Sequence, residues 1–208
     1  MNHRGILVVV SGFSGAGKGT LMKELLRQYP ERYALSISAT TRSPREGEQD
    51  GREYFFKSRE EFEQLIAENA LIEYAQYVEN YYGTPREYVE KQLASGRDVI
   101  LEIEIQGALR IKEQYPDALL LFVTPPSAEE LKRRLTNRGT ESAEVIEARL
   151  KRAAEEAEGV EAYDYIVVND DLEACTERLH QLIEAQHSRT SLQKEFLNRI
   201  RAELKHLN

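Results

Sequence analysis

Ile6-Leu7-Val8-Val9-Val10-Ser11-Gly12-Phe13-Ser14-Gly15-Ala16-Gly17-Lys18-Gly19-Thr20 decides the architecture. Its apolar, β-branched start reads as a strand buried on both faces, as in the middle of a parallel sheet. Gly12, Gly15 and Gly17 let the backbone curl so that successive N–H groups point inward. The residues that follow open a helix, with Leu21, Leu25, Leu26 and Tyr29 recurring on one side. A helix N-terminus adds positive potential where the loop closes, and Lys18 adds a mobile cation. In this order after a strand, the glycine frame, lysine and helix start form a phosphate-binding loop (P-loop) for a nucleoside triphosphate.

One position departs from the usual pattern. The residue after the P-loop lysine is ordinarily a hydroxyl side chain that holds Mg²⁺. Here it is Gly19, and Thr20 comes next. The metal is then held through Thr20, or largely through water and the phosphates.

Outward from the loop, short β-branched runs alternate with helical patterns. Residues 35–39, 99–101, 119–123 and 165–168 read as further strands. Continuous apolar strands separated by helices predict an α/β fold: a five-stranded, mainly parallel sheet with helices on both faces. Two stretches break the rhythm. Residues 40–88 are rich in Arg, Glu, Tyr and Gly, and residues 127–160 are strongly charged and mostly helical. Both lie between core strands and read as lobes inserted into one domain, with the core at 1–39, 89–126 and 161–208. Ser58 to Glu61, Thr84 to Glu87 and Ser127 to Glu130 each read as a helix-starting capping box.

The composition narrows the class. Of 208 residues, 41% are hydrophobic and 31% charged, too apolar for a disordered chain. No apolar run approaches the ~20 residues needed to span a bilayer. The first run is also too short for a signal sequence. The single cysteine, Cys175, excludes an intrachain disulfide, reads as a small core residue and suits the cytoplasm. A net charge of −8 argues against nucleic-acid and membrane partners, so cations that bind an anionic ligand must be gathered locally.

Such gathering is visible downstream of the second strand. Arg42 and Arg45 flank Ser43-Pro44, a turn that aims both guanidinium groups at one phosphate or leaves them as a solvated loop. Tyr81 and Tyr82 precede Gly83 and suit a binding wall or a core filler equally. In Val99-Ile100-Leu101-Glu102-Ile103-Glu104, alternation puts Glu102 and Glu104 on one side at the ligand-binding end of a strand. Residues 127–160 carry Arg133, Arg134, Arg138, Arg149 and Arg152, with Arg134 and Arg138 spaced for one helix face. The acids Glu155 and Glu156 fit a solvated face. The tail, 188–208, reads as a helix with Leu192, Phe196, Ile200 and Leu204 on one stripe, packed on the core or in a subunit contact. The four histidines form no catalytic or metal-binding constellation.

Over nearly its whole length the chain resembles the guanylate kinase family. The resemblance is carried by the P-loop, Thr40-Thr41-Arg42-Ser43-Pro44-Arg45 with Gly47-Glu48, Tyr54-Phe55-Phe56, Asn80-Tyr81-Tyr82-Gly83-Thr84, the Arg134/Arg138-Gly139 lid motif and Val168-Asn169-Asp170-Asp171. It implies a P-loop kinase three-layer fold with a GMP-binding lobe at 40–88 and a helical lid at 127–160. It also implies ATP-dependent phosphorylation of GMP, and of dGMP, to the diphosphate in the cytoplasm, with Mg²⁺ as cofactor. By resemblance, ATP lies on Gly12, Phe13, Ser14, Gly15, Ala16, Gly17, Lys18, Gly19 and Thr20, with Arg134, Arg138 and Asn169. The GMP phosphate lies on Arg42, Arg45, Tyr54 and Tyr82. The guanine meets Ser38, Glu73 and Thr84, with Glu48 nearby as a supporting carboxylate, and Gly83, Glu102 and Glu104 complete the GMP-binding set. Lys18, Arg42, Arg134, Arg138 and Arg149 would be the catalytic cations. The family commonly carries aspartate at positions 102 and 104, so the longer glutamates are a departure. Two other readings remain: a P-loop kinase for another monophosphate, and a non-catalytic guanylate-kinase-like interaction module.

Guanine recognition also follows from chemistry. Guanine presents N1–H and an exocyclic amine side by side, and one carboxylate such as Glu73 accepts from both. Its O6 accepts from a hydroxyl such as Ser38 or Thr84. Adenine would set a bare N1 lone pair against that carboxylate, a penalty on the order of 10³-fold. The acceptor oxygen of a monophosphate is already anionic, so the transfer needs no general base.

Overall fold

A computed structural model describes residues 4–77, 79–137 and 142–207. The first strand, β1 (Leu7–Gly12), is buried over five of its six residues. It lies at the centre of a five-stranded sheet with β2 (Tyr33–Leu35), β7 (Asp98–Glu102), β8 (Leu119–Thr124) and β9 (Tyr165–Val168). The order is β2-β7-β1-β8-β9, and every pairing is parallel. Alternation along β1 divides the core. Val8 and Val10 face one apolar layer with Ile100, Leu119, Leu121 and Val123. Leu7 and Val9 face the other, with Val99, Leu101 and Leu120. Helices α1 (Lys18–Gln28) and α7 (Leu172–His187) cover the first layer through Leu21, Leu25, Cys175 and Leu179. Helices α3 (Arg86–Ala94) and α4 (Ile105–Gln114) cover the second through Val89, Leu93, Ala108 and Ile111. The result is the three-layer α/β fold expected from the sequence.

A second sheet joins β3 (Ala39–Thr40), β4 (Phe55–Phe56), β5 (Leu71–Tyr77) and β6 (Asn80–Pro85) in the order β4-β3-β6-β5. Its own small core sets Phe62 of α2 (Arg59–Ala67) against Ala39 and Leu71. A third unit pairs α5 (Ala128–Thr136) with α6 (Ala143–Ala157), packed through Leu131, Leu135 and Ala153. Phe13 of the P-loop touches this helical pair as well as the main core. The tail helix α8 (Lys194–His206) buries none of its residues, and Phe196 and Leu204 of the expected stripe are exposed. Among the described residues no helix is long and apolar enough to cross a membrane.

Several local expectations are corrected. Residues 35–39 are not one strand: the core strand stops at Leu35, and Ala39 starts the second sheet, because the chain leaves one sheet for the other between them. Strand β7 ends at Glu102, and Glu104 is the N-cap of α4, so these two acids do not share a strand face. Ser58 forms the complete capping box, whereas Ser127 receives only the Glu130 N–H. The box at Thr84 does not form: α3 starts after Pro85, and the Thr84 hydroxyl is committed elsewhere.

At the end of the strands away from the P-loop, Asp98 is fully buried. It accepts the Ile6 N–H at 2.9 Å, faces His187 Nε2 at 2.9 and 3.0 Å, and lies 3.6 Å from Arg32 Nε. This network ties α7 to the floor of the sheet. Asp98→Ala would strip the Ile6 N–H and His187 Nε2 of their acceptor and Arg32 of a nearby charge, which is expected to cost about 3 kcal/mol. Thermal denaturation should then show a melting temperature lower by roughly 6–12 °C for a chain of this size. An unchanged melt would show that the network carries no stability.

Candidate active site

The P-loop joins β1 to α1 at the C-terminal edge of the main sheet, where ligands of open α/β sheets sit. Gly15 and Gly17 adopt left-handed conformations, φ 93° and 89°. A Cβ on Gly17 would come within 2.5 Å of Asn169 Nδ2, so only glycine fits. The Lys18 ammonium donates to the carbonyls of Gly12 (2.6 Å) and Phe13 (3.4 Å) and closes the loop. Asn169, buried just after β9, donates Nδ2–H to the Ala16 carbonyl at 2.8 Å. Arg134 of α5 donates to the Asn169 carbonyl (2.8 Å) and more distantly to that of Ala16 (3.4 Å). Its Nε also bonds Glu130, whose carboxyl is pulled down to about 2 by hydrogen bonds from Arg133 and Arg134. Ser14, Gly19 and Thr20 are exposed, on the loop and in the first turn of α1.

The second sheet and the loop after β3 gather a second cationic corner. Glu48 accepts from the Arg42 guanidinium (2.9 Å) and from the Arg45 N–H (2.7 Å), which folds the loop back on itself. The bond from Arg42 holds the Glu48 carboxyl below its ordinary range. The Arg42 guanidinium lies 5.2 Å from the Tyr54 ring centre, and Tyr54 meets Tyr82 edge-on at 6.0 Å. Arg42, Tyr54 and Tyr82 thus converge, while Arg45 is exposed. The two neighbouring tyrosines split the roles left open by the sequence: Tyr82 faces Tyr54, and Tyr81 stacks on Phe62 in the lobe's core.

Glu73 and Thr84 sit opposite each other on β5 and β6. The Thr84 hydroxyl donates to Glu73 Oε1 at 2.7 Å, and only 9% of Glu73 is exposed. Burial raises its carboxyl pKa, against the pull of the Thr84 hydroxyl and the Arg110 charge. A side chain on Gly83 would collide with the Glu73 carbonyl at 2.9 Å, so this glycine lets the two strands approach.

One cavity of about 430 Å³ connects the two corners. Ser11, Gly12 and Lys18 line it from the loop side, Ser38 and Tyr54 from the edge of the second sheet, Glu102 from the end of β7 and Glu104 from the N-cap of α4. Glu102 is open to the cavity, yet the surrounding protein raises its carboxyl pKa while Lys18 lowers it. Glu104 accepts from Arg152 of α6 at 2.7 Å. Glu156 of α6 also lines the cavity, where the sequence read only a solvated acid. The overlooked signal is its stripe with Arg149 and Arg152, at positions i, i+3 and i+7 of one helix. Arg149 lies on α6, and Arg138 lies outside the described residues.

A phosphate cradle opening into one cavity with a second anion-binding lobe defines a P-loop nucleotide phosphotransferase. The guanylate kinase family model matches residues 4–186. The chain is 51% identical over 187 residues to the guanylate kinase of Bacillus subtilis (strain 168), spanning 90% of this chain and 92% of that one. It is 53% identical over 188 residues to that of Desulfitobacterium hafniense (strain Y51), spanning 90% and 93%. Its structure also matches the crystal structure of guanylate kinase from Anaplasma phagocytophilum, with a TM-score of 0.71, 35% identity and coverage of 90% and 89%. The chain belongs to the guanylate kinase family.

Proposed function

We propose that the protein transfers the γ-phosphoryl group of ATP to GMP, and to dGMP, yielding ADP and the diphosphate. The observation that carries this reading is the single cavity lined by Lys18 on one side and by Ser38 and Tyr54 on the other. Two anionic substrates entering it from opposite sides would meet end to end, the geometry of in-line transfer. The P-loop amides and Lys18 hold the donor phosphates, and Arg134 and Arg149 approach from the lid. Arg42, with Tyr54 and Tyr82, binds the acceptor phosphate. The Glu73 carboxylate accepts from guanine N1–H and the exocyclic amine, and Ser38 or Thr84 donates to O6. The acceptor oxygen attacks as an anion, so alignment and charge neutralisation supply the catalysis. A closed lid keeps water from taking its place.

Hard oxygen donors suit a Mg²⁺ ion. The Thr20 hydroxyl in the first turn of α1 and the Glu102 carboxylate beside Lys18 fit that chemistry, and Gly19 contributes none. The ion would neutralise charge on the β- and γ-phosphates. A cytoplasmic location agrees with the nucleotide substrates and with one buried thiol, Cys175.

An ADP-release assay with GMP, dGMP, AMP, CMP and UMP tests the reading. GMP and dGMP should turn over, with AMP lower by on the order of 10³-fold in kcat/KM. Comparable rates with AMP or a pyrimidine monophosphate would give the protein a different acceptor. No turnover with any of them would favour a binding module.

A further inference from the structure

Arg149, Arg152 and Glu156 lie along one stripe of α6. Arg152 of this stripe reaches the body of the protein. Its Nη2 donates to Glu104 Oε2 at 2.7 Å, and its Nε donates to Glu156 Oε1 at 3.0 Å. Glu104 stands at the N-cap of α4, two residues beyond β7, so the bond joins the lid to the edge of the core. The fork leaves Glu156 largely covered, with 18% of its side chain exposed, on the wall of the cavity that also holds Lys18. On α5, Arg134 donates to the Asn169 and Ala16 carbonyls, and Phe13 packs against the Leu131, Leu135 and Ala153 cluster. These contacts hold α5 at the loop, while α6 rests on α5 through apolar packing that has no direction of its own.

We propose that Arg152, clamped between Glu104 and Glu156, is the latch that sets the rotation of α6 over the cavity, and so the direction in which Arg149 faces. Arg152 is a positioning residue and touches no substrate. The proposal rests on the reading that the lid arginines serve the ATP phosphates. The latch is weak by construction. Glu104 is 70% exposed at its side chain and Arg152 48%, so solvent screens the pair. A lid that must open for product release in every turnover requires a contact of that strength rather than a permanent one.

The length of Glu104 is the point of attack. Aspartate keeps the charge and is about 1.5 Å shorter, which takes a 2.7 Å bond out of hydrogen-bonding range. The experiment measures kcat and KM for ATP and for GMP in the wild type, Arg152→Ala, Arg152→Lys, Glu104→Asp and the Arg152→Ala/Glu104→Asp double variant, at low and high salt. Melting curves run alongside. Each single variant with alanine or aspartate should lose about two- to fivefold in kcat/KM for ATP at low salt. The double variant should lose no more than the worse single, because both changes cut one contact. Arg152→Lys, which cannot fork to two carboxylates, should fall in between. Raising salt should lower the wild type toward the variants, while a role in folding alone would leave that gap unchanged. The chain has no tryptophan, so Val145→Trp on exposed lid surface supplies a single emitter whose response to a non-hydrolysable ATP analogue should shrink in the Arg152→Ala background. Unchanged ATP kinetics, additive losses or a salt-independent gap would each overturn the latch. A wild type that does not phosphorylate GMP would overturn the functional reading instead.

Discussion

Lys18→Met is expected to leave a folded protein whose phosphoryl transfer is slower by roughly 10³-fold. Methionine matches the lysine stem in length and lacks only the ammonium. The loop does not depend on that ammonium alone for its shape. The Ala16 N–H bonds the Phe13 carbonyl, Asn169 holds the Ala16 carbonyl, and α1 begins at Lys18 whatever its side chain. The charge is a different matter. In the proposed reaction, which needs no general base, neutralising and aligning phosphate oxygens lowers the barrier, and Lys18 lines the central cavity together with Glu102. Circular dichroism and a melting curve should resemble those of the wild type. Calorimetry should show GMP binding preserved, because the proposed GMP contacts Arg42, Tyr54, Tyr82 and Glu73 lie on the second sheet and the loops beside it. Turnover close to wild type would remove the P-loop from the mechanism.

Glu73→Gln should raise KM for GMP by roughly 10²–10³-fold and leave KM for ATP essentially unchanged. Glutamine replaces one acceptor oxygen with an N–H₂ group, which then confronts a guanine N–H. Burial raises the folded-state pKa of Glu73, so folding favours its protonated form. The sign follows: its charge opposes the fold at neutral pH, and this opposition disappears as pH falls through the folded pKa. Glu73→Gln should therefore melt no lower than the wild type, and higher if the fold relaxes little. Binding has the opposite sign, because only the carboxylate accepts from both guanine donors. GMP affinity of the wild type should fall on acidification, starting above the ordinary glutamate range near ~4.3. The glutamine variant should lack this acid limb. Equal losses for ATP and GMP would mean that Glu73 does not face the base.

Glycine spacing and a buried strand announced the cradle because phosphate binding by backbone amides is a local property, complete within residues 12–20. The central strands β1, β7 and β8 were legible for a similar reason: strands buried on both faces must be apolar nearly throughout, and Val8, Val9 and Val10 have no exposed side to obscure the signal. Residues 35–39 misled because Leu35 and Ala39 are both apolar, yet the chain crosses between two sheets, and short apolar runs do not record which sheet they join. Thr84 misled because one hydroxyl suits two partners. It could cap α3 or donate to Glu73, and the Glu73 carboxylate directly across the β5–β6 pair claimed it.

By itself the sequence determined the α/β layering, the P-loop and the residue types of a second anion pocket, since each rests on neighbours along the chain or on a simple period. Only the tertiary structure decided which residues line the common cavity, that Glu104 bonds Arg152 at its edge, and that Glu156 joins its wall. Those outcomes depend on how helices from distant parts of the chain rotate and approach, and no local pattern encodes a rotation set by packing and by ion pairs up to 48 residues apart.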